Sequence, residues 1–460
     1  MSSTRHRYRD TRGIGGHPRG LTTLFVTELW ERFSYYGMRA LLVLYMVATP
    51  SEGGLGLDVP TATAIYGMYT MWVYLLTLPG GWIADRWLGT KSAVLVGGAI
   101  IAAGHTILAC MGIATSLAML YAGLSCVACG TGLLKPSISA MVGELYEERD
   151  ERRDAGFALF FMGINIGAAC APIVCGFLAQ HHAMKHLLAL CGFNPAHSWH
   201  WGFGAAGLGM MAGLLYFYRA YKHIGRQEEF SSAARRLQYR IYPSLSSVEK
   251  RRIAVILVLF LFTVLFGVVS EQAGSSMSLF ADRLTDRSVG SWEVPSSWFQ
   301  AVVPIYVILL APLFSRLWMR LGERQPSFPA KFALSLLCVA GACACMVVAS
   351  ILAVSGKVSP LWLLTAFFVQ EIGAVLLNPT GLSVVTKLSP GHLVGLMMGV
   401  WFLASALASR IAGYLAGFFD EKRPDFLAQY FAVLSGAMIL ASLVLLILTP
   451  RLRRMIGDEK

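Results

Sequence analysis

From Ile253 to Val269 the chain runs for seventeen residues without a charged side chain. A helix of that length rises about 25 Å at about 1.5 Å per residue, close to the roughly 30 Å hydrocarbon thickness of a bilayer. The run does not alternate apolar and polar residues as an outer-membrane strand would, so a β-barrel is excluded. In lipid every backbone polar group must be satisfied internally, which leaves the helix as the spanning element. Similar stretches recur along the chain near 21–48, 61–84, 91–114, 116–142, 155–179 and 200–219. After a gap they recur near 252–280, 297–320, 331–354, 360–386, 393–418 and 428–449. Composition agrees: 56% of the 460 residues are apolar and 14% charged, against about 45–50% and about 25% in soluble domains. The reading is an all-α polytopic membrane protein.

Charge distribution sets the orientation. The net charge of +12 does not form a nucleic-acid-binding face, because the basic residues lie between the apolar stretches. With twelve spans both termini share a side. That side holds Arg86, Lys91, Arg149, Arg152, Arg153, Arg324 and Lys387, besides arginines in both tails; the other holds Lys185, Arg283, Arg287, Lys357, Lys422 and Arg423. The positive-inside rule therefore places both termini in the cytoplasm, with no removable signal peptide. The domain reading is a cytoplasmic tail over 1–20, a six-helix bundle over 21–220, a basic linker over 221–250, a second six-helix bundle over 251–450 and a tail over 451–460. Six helices on each side of a linker is the layout of major facilitator transporters.

Ionised residues inside spans are functional candidates, since each disfavours insertion by roughly 2.5–3.5 kcal/mol. The first span carries Glu28, Glu31, Arg32 and Arg39, and the spacing puts the acids, the arginines and Tyr35 on one helix face. Counted from the cytoplasmic ends, Glu28, Glu31, Lys135 and Asn165 fall in one polar layer, while Arg39 and Glu271 lie deeper at similar depths. That pairing of Arg39 with Glu271 is an expectation that a charge swap would test. Acids between cations and low dielectric can exchange a proton for a change of pairing, which makes the proton the expected coupling ion. The chain has no G-x-x-x-x-G-K-[ST] loop for ATP. No other cofactor, metal site or nucleophile–base pair is expected, so the chain is not read as an enzyme. His181, His182, His186, His197 and His200 read as loop histidines at a wet face, His105 as a packed histidine, and Cys126 and Cys129 as core residues.

The first-span segment Glu28-Leu-Trp-Glu31-Arg32-Phe-Ser-Tyr35-Tyr36-Gly37 resembles the E-x-x-E-R-F-x-Y-Y-G signature of the proton-dependent oligopeptide transporter family. Gly81-Trp-Ile-Ala-Asp85-Arg86, Gly132-Leu-Leu-Lys135-Pro136 and Phe160-Phe-Met-Gly-Ile-Asn165-Ile-Gly167 are similar to later family motifs. So are Glu271-Gln272, Gly381-Leu-Ser-Val-Val-Thr-Lys387 and Met398-Gly-Val-Trp401-Phe402. The resemblance implies a proton-coupled importer of di- and tripeptides working by alternating access; a monomer in a plasma membrane is expected, with a bacterial inner membrane favoured and a eukaryotic plasma membrane also fitting. It implies proton coupling by Glu28, Glu31, Arg32 and Glu271. Substrate contacts would come from Tyr35, Tyr36, Arg39, Tyr66, Tyr74, Lys135, Asn165, Glu271, Asn378 and Trp401. Animal members carry a histidine one residue after Tyr66, where this chain has Gly67, so proton movement would rest on carboxylates.

In the tenth span the family pattern G-E-x-x-x-S-P becomes Gly373-Ala374-Val-Leu-Leu-Asn378-Pro379, without the acid expected to meet the peptide amine. Glu371, one turn earlier, either replaces that acid or is neutralised by Arg410 at the same depth. In the eighth span Val303 precedes Pro304, where the family commonly has Asn. Two alternatives to peptide import stay open: a member that takes another anionic solute or an amine-blocked peptide, and a non-transporting membrane sensor.

Overall fold

The computed structural model describes residues 10–112, 116–146, 150, 152–224, 245–390 and 393–456. The core of the linker expected over 221–250, Arg5, Arg7 and Arg9 of the N-terminal tail, and the last four residues lie outside them. The described chain is built of helices: α1 (Arg19–Val47), α2 (Val59–Leu75), α3 (Thr77–Ile83), α4 (Thr90–Cys110), α5 (Leu117–Gly143), α6 (Arg152–Gln180), α7 (His182–Leu190) and α8 (Ser198–Ala220). Then follow α9 (Ser247–Ser270), α10 (Ser276–Arg283), α11 (Phe299–Leu321), α12 (Phe328–Leu352), α13 (Leu361–Leu388), α14 (Val394–Ala416) and α15 (Pro424–Ile456). Among the described residues nine helical segments are long and apolar enough to cross a membrane. The helix α1 falls outside that set through its charges, α2 through its length of 17 residues, and α8, the expected sixth span, through its lower hydropathy.

Three stretches differ from the expected spans. The second is bent at Leu76 between α2 and α3 and ends in one wide turn over Ala84–Leu88. The seventh is interrupted between α9 and α10, where Glu271–Gly274 form a tighter turn and Ser275 leaves helical geometry (φ −129°, ψ −97°). The histidine-bearing loop after the fifth folds in part as α7. A short hairpin, β1 (Ser288–Val289) with β2 (Trp292–Glu293), turns at Gly290 and is tied back by Arg287, which donates to the Val294 carbonyl at 2.7 Å.

The chain divides into two compact units, one drawn from Met1–Leu55 and Trp72–Ile241, the other from Gly56–Met71 and Tyr242–Lys460. In the first, α1 packs on α6 and α8, α4 on α5 and α8, and α3 on α5. Glycines make these contacts close: Gly97 and Gly130 sit where an added Cβ would lie 2.6 and 2.5 Å from a carbonyl oxygen of the facing helix. Small residues serve this purpose in lipid, where helix association depends on close packing.

In the second unit α12 packs on α13 and α15, and α9 on α12, α13, α14 and α15. Ser435 and Ser442 of α15 donate to the Ala340 and Ala333 carbonyls of α12, at 2.9 and 2.8 Å. The first part of α2 belongs here because Gly67 meets Gly413 of α14: a Cβ on Gly67 would stand 2.7 Å from the Gly413 Cα. A histidine at Gly67, as in animal members, has no room in this arrangement.

Candidate functional site

The polar face of α1 is the densest charge cluster inside the first unit. Arg32 lies between two acids, with Nε 3.0 Å from the Glu28 carboxylate and in closer contact with Glu31. All three are nearly excluded from solvent, at 3%, 1% and 5% exposure for Glu28, Glu31 and Arg32. Arg32 follows Glu28 by four residues and Glu31 by one, so a single helical turn brings both carboxylates within reach of one guanidinium. An unpaired charge at this depth would be untenable, whereas here the arginine serves both acids.

The face continues outward as alternating cations and rings. The Arg32 guanidinium is 5.4 Å from the Tyr35 ring, Tyr35 meets Tyr36 edge-on at 5.1 Å, and the Arg39 guanidinium is 5.9 Å from the Tyr36 ring. Such contacts hold a cation over an aromatic face while leaving its donors available.

Lys135 joins from α5. Its Nζ stands 4.5 Å from the centre of the Tyr74 ring, and its charge acts on Glu28. The approach depends on Gly132: a Cβ there would lie 2.7 Å from the Leu76 carbonyl at the bend between α2 and α3. The absent side chain admits the bend, and the bend carries Tyr74. Asn165 is on α6, buried, with its amide donating to the Phe161 carbonyl of its own helix at 2.9 Å. The expected polar layer thus brings together Glu28, Glu31, Arg32 and Lys135, while Asn165 is engaged within α6.

In the second unit Glu271 is half-buried at the start of the α9–α10 break. Its neighbour Gln272 is fully buried and spans the break: its amide is 3.3 Å from the Val268 and Ala412 carbonyls, and its oxygen accepts from Ser276 at 2.6 Å. In the sequence Gln272 stands out only as part of the Glu271-Gln272 motif. Its work is to pin an interrupted helix to α14.

On α13, Glu371 is 5% exposed. Among the described residues no ion pair joins it to Arg410; its polar neighbour is Gln370, whose amide is 3.4 Å from Oε1. Equal depth did not make a pair, because depth says nothing of the direction in which two side chains leave their helices. Asn378 is exposed and Tyr66 buried. Trp401 is buried, filling the notch at Gly381 and meeting Phe332 edge-on at 6.1 Å, so in this conformation its indole packs α14 on α12 and α13.

In the first unit the chain before α1 is also anchored. His17 Nδ1 is 2.8 Å from the Tyr146 hydroxyl, and both side chains are buried. Burial, and then the charge of Arg152, lower the His17 pKa from its ordinary 6.5, with Asp150 acting the other way. Asp10 accepts from Arg12 and from the Arg19 backbone amide, and its carboxyl is lowered to about 2, chiefly by the Arg12 hydrogen bond.

Comparison with known proteins agrees with this architecture. The peptide transporter YePEPT of Yersinia enterocolitica is 35% identical over 97% of this chain and 96% of its own length. The di-/tripeptide transporter of Lactococcus lactis subsp. cremoris is 34% identical over 97% and 98%. A crystal structure of a mutant of peptide transporter POT in complex with alafosfalin superposes with a TM-score of 0.85, at 36% identity over 97% of each chain. The model of the POT family matches residues 91–242 and 239–433. Together with the first-span signature, these place the chain as a multi-pass membrane transporter that belongs to the POT family.

Proposed function

We propose that this protein is a proton-coupled symporter that imports di- and tripeptides or peptide-like solutes by alternating access. It would do so on a major facilitator fold of twelve transmembrane helices in two six-helix bundles, as a monomer in the bacterial inner membrane with both termini cytoplasmic. The supporting observation is the buried Glu28–Arg32–Glu31 triad within the field of Lys135. Two acids and two cations are neutral together. A peptide carboxylate that takes Lys135 as its partner leaves the triad of Glu28, Arg32 and Glu31 one negative charge in excess, and a proton on either acid restores balance. Proton and peptide therefore favour each other's binding. The membrane potential adds about 2.3 kcal/mol per charge per 100 mV, enough for more than tenfold accumulation at about 1.4 kcal/mol per decade.

The roles follow from donor chemistry. Arg39 and Lys135 offer charge-assisted bonds to the peptide carboxylate, and Tyr35, Tyr36, Tyr66, Tyr74, Asn165 and Asn378 offer donors or acceptors to its amide groups. Glu271 belongs to coupling because it sits where α9 is interrupted. A second reading, a relaxed requirement for a free amine, is favoured by Ala374 together with Glu371, an acid without an ion-pair partner among the described residues.

The test is uptake of a labelled dipeptide into proteoliposomes under an inward proton gradient, beside Glu31→Gln and with an N-acetylated dipeptide as competitor. Uptake that follows the gradient and disappears in Glu31→Gln supports the reading. Competition by the acetylated peptide supports the relaxed amine end, and absence of uptake by the folded wild type rejects peptide symport.

A further inference from the structure

The contacts of α1 with α6, α8 and α4 in the first unit differ in kind. Toward α6 the contact runs over small residues: a Cβ on Gly37 would lie 2.6 Å from the Cys175 sulfur, and one on Gly163 would lie 2.9 Å from the Phe25 ring. Toward α8, Cβ atoms on Gly209 and Gly213 would lie 2.6 Å from Phe33 and 2.7 Å from Trp30. Such surfaces let helices approach closely but give no directional resistance to a small rotation. Toward α4 the contact is directional. Ser34 Oγ is 2.6 Å from His105 Nε2, and both residues are completely buried.

The histidine is an expensive choice for this place. Gly207 of α8 closes over it, since a Cβ there would stand 3.1 Å from the His105 Cβ, and among the described residues Nδ1 has no hydrogen-bond partner. A hydrocarbon side chain would avoid burying that nitrogen. What it would lack is the bond to Ser34, which stands one turn from Glu31 and two residues from Arg32.

We propose that His105 is a positioning residue: through Ser34 it fixes the rotation of α1, and with it the placement of Glu28, Glu31 and Arg32 relative to Lys135. The bond lies between Ser34 and His105 and outside the triad itself, so its influence is geometric. Among the described residues, the ionisable groups around the triad include Tyr35, Tyr36 and Arg39 on α1, Lys135 on α5, with Tyr74 beside it, His105 on α4 and Cys175 of α6 near Gly37. Rotation of α1 changes the distances of the two acids from these groups and so the pH at which the acids bind a proton. The inference deepens the proton-coupling reading and rests on it.

A substrate-free measurement tests it. The carboxyl stretching band of Glu28 and Glu31 is followed by infrared spectroscopy against pH in lipid-reconstituted protein, assigned by difference from Glu31→Gln. Ser34→Ala and His105→Leu are expected to move the midpoint by about one pH unit, equivalent to a tenfold change in proton affinity, with no further movement in the double variant. His105→Gln, whose amide nitrogen reaches about as far as Nε2, is expected to titrate as wild type. The pH profile of dipeptide uptake should move in parallel. An unmoved midpoint in folded Ser34→Ala and His105→Leu overturns the proposal, as does a shift in His105→Gln equal to that of His105→Leu. Failure of wild type to carry peptide, with its carboxyl titration intact, would remove the transport reading and leave the positioning role judged by the spectra alone.

Discussion

The helices α1 and α13 both bury acids in apolar surroundings, yet they treat them differently. In α1 two carboxylates share Arg32, with Lys135 nearby. In α13 Glu371 has an amide for company and no ion pair among the described residues. The first is an arrangement in which charge is balanced by the protein itself, and it changes only when a proton or another charge arrives. The second is unbalanced until a proton or a cationic group reaches it, because an isolated carboxylate is poorly tolerated in low dielectric. One region is built to keep its charges, the other to acquire a partner.

Removing the shared cation should be the most damaging change. Arg32→Met leaves two acids facing each other, a loss of about 3–5 kcal/mol on breaking a buried pair. Thermal unfolding in detergent should show a marked drop, reduced at acid pH where the acids are neutralised. A melting curve unchanged from wild type would mean that α1 does not depend on its triad.

Glu371→Gln should behave in the opposite way. Stability should change by less than about 1 kcal/mol, since no ion pair is broken. The apparent KM for dipeptides with a free amine should rise about tenfold, as expected for loss of one charge-assisted bond, while that of N-acetylated peptides stays the same. Equal effects on both substrates would remove Glu371 from the amine site.

The smallest effect is expected at the anchor ahead of α1. His17 has its pKa lowered by burial, so its neutral form belongs to the folded state. The stability it lends is complete above its ordinary value of 6.5 and is lost as pH falls toward the folded value. Hydrogen exchange over residues 10–18, corrected for intrinsic rates, should therefore quicken as pH falls below about 6.5. His17→Gln should remove that pH dependence, and persistence of it would assign the effect elsewhere.

Much was legible along the chain. Apolar runs located the helices that cross the bilayer, because burial of about 20 residues in hydrocarbon is a local property. The triad was legible too, since Glu28, Glu31 and Arg32 meet within one helical turn. The two interruptions were not. The bend at Leu76 is admitted by Gly132 of another helix, and the break after Ser270 is pinned by Gln272 to the Ala412 carbonyl.

What the sequence determined by itself is the set of charges committed to the membrane, their depth and the turn of helix they share, all fixed by a rise of 1.5 Å per residue. The tertiary structure alone decided which charges meet. It left Glu371 apart from Arg410, drew Tyr74 over Lys135 and joined Ser34 to a histidine 71 residues away. Depth follows from counting, but the direction of a side chain is settled only when the helices pack.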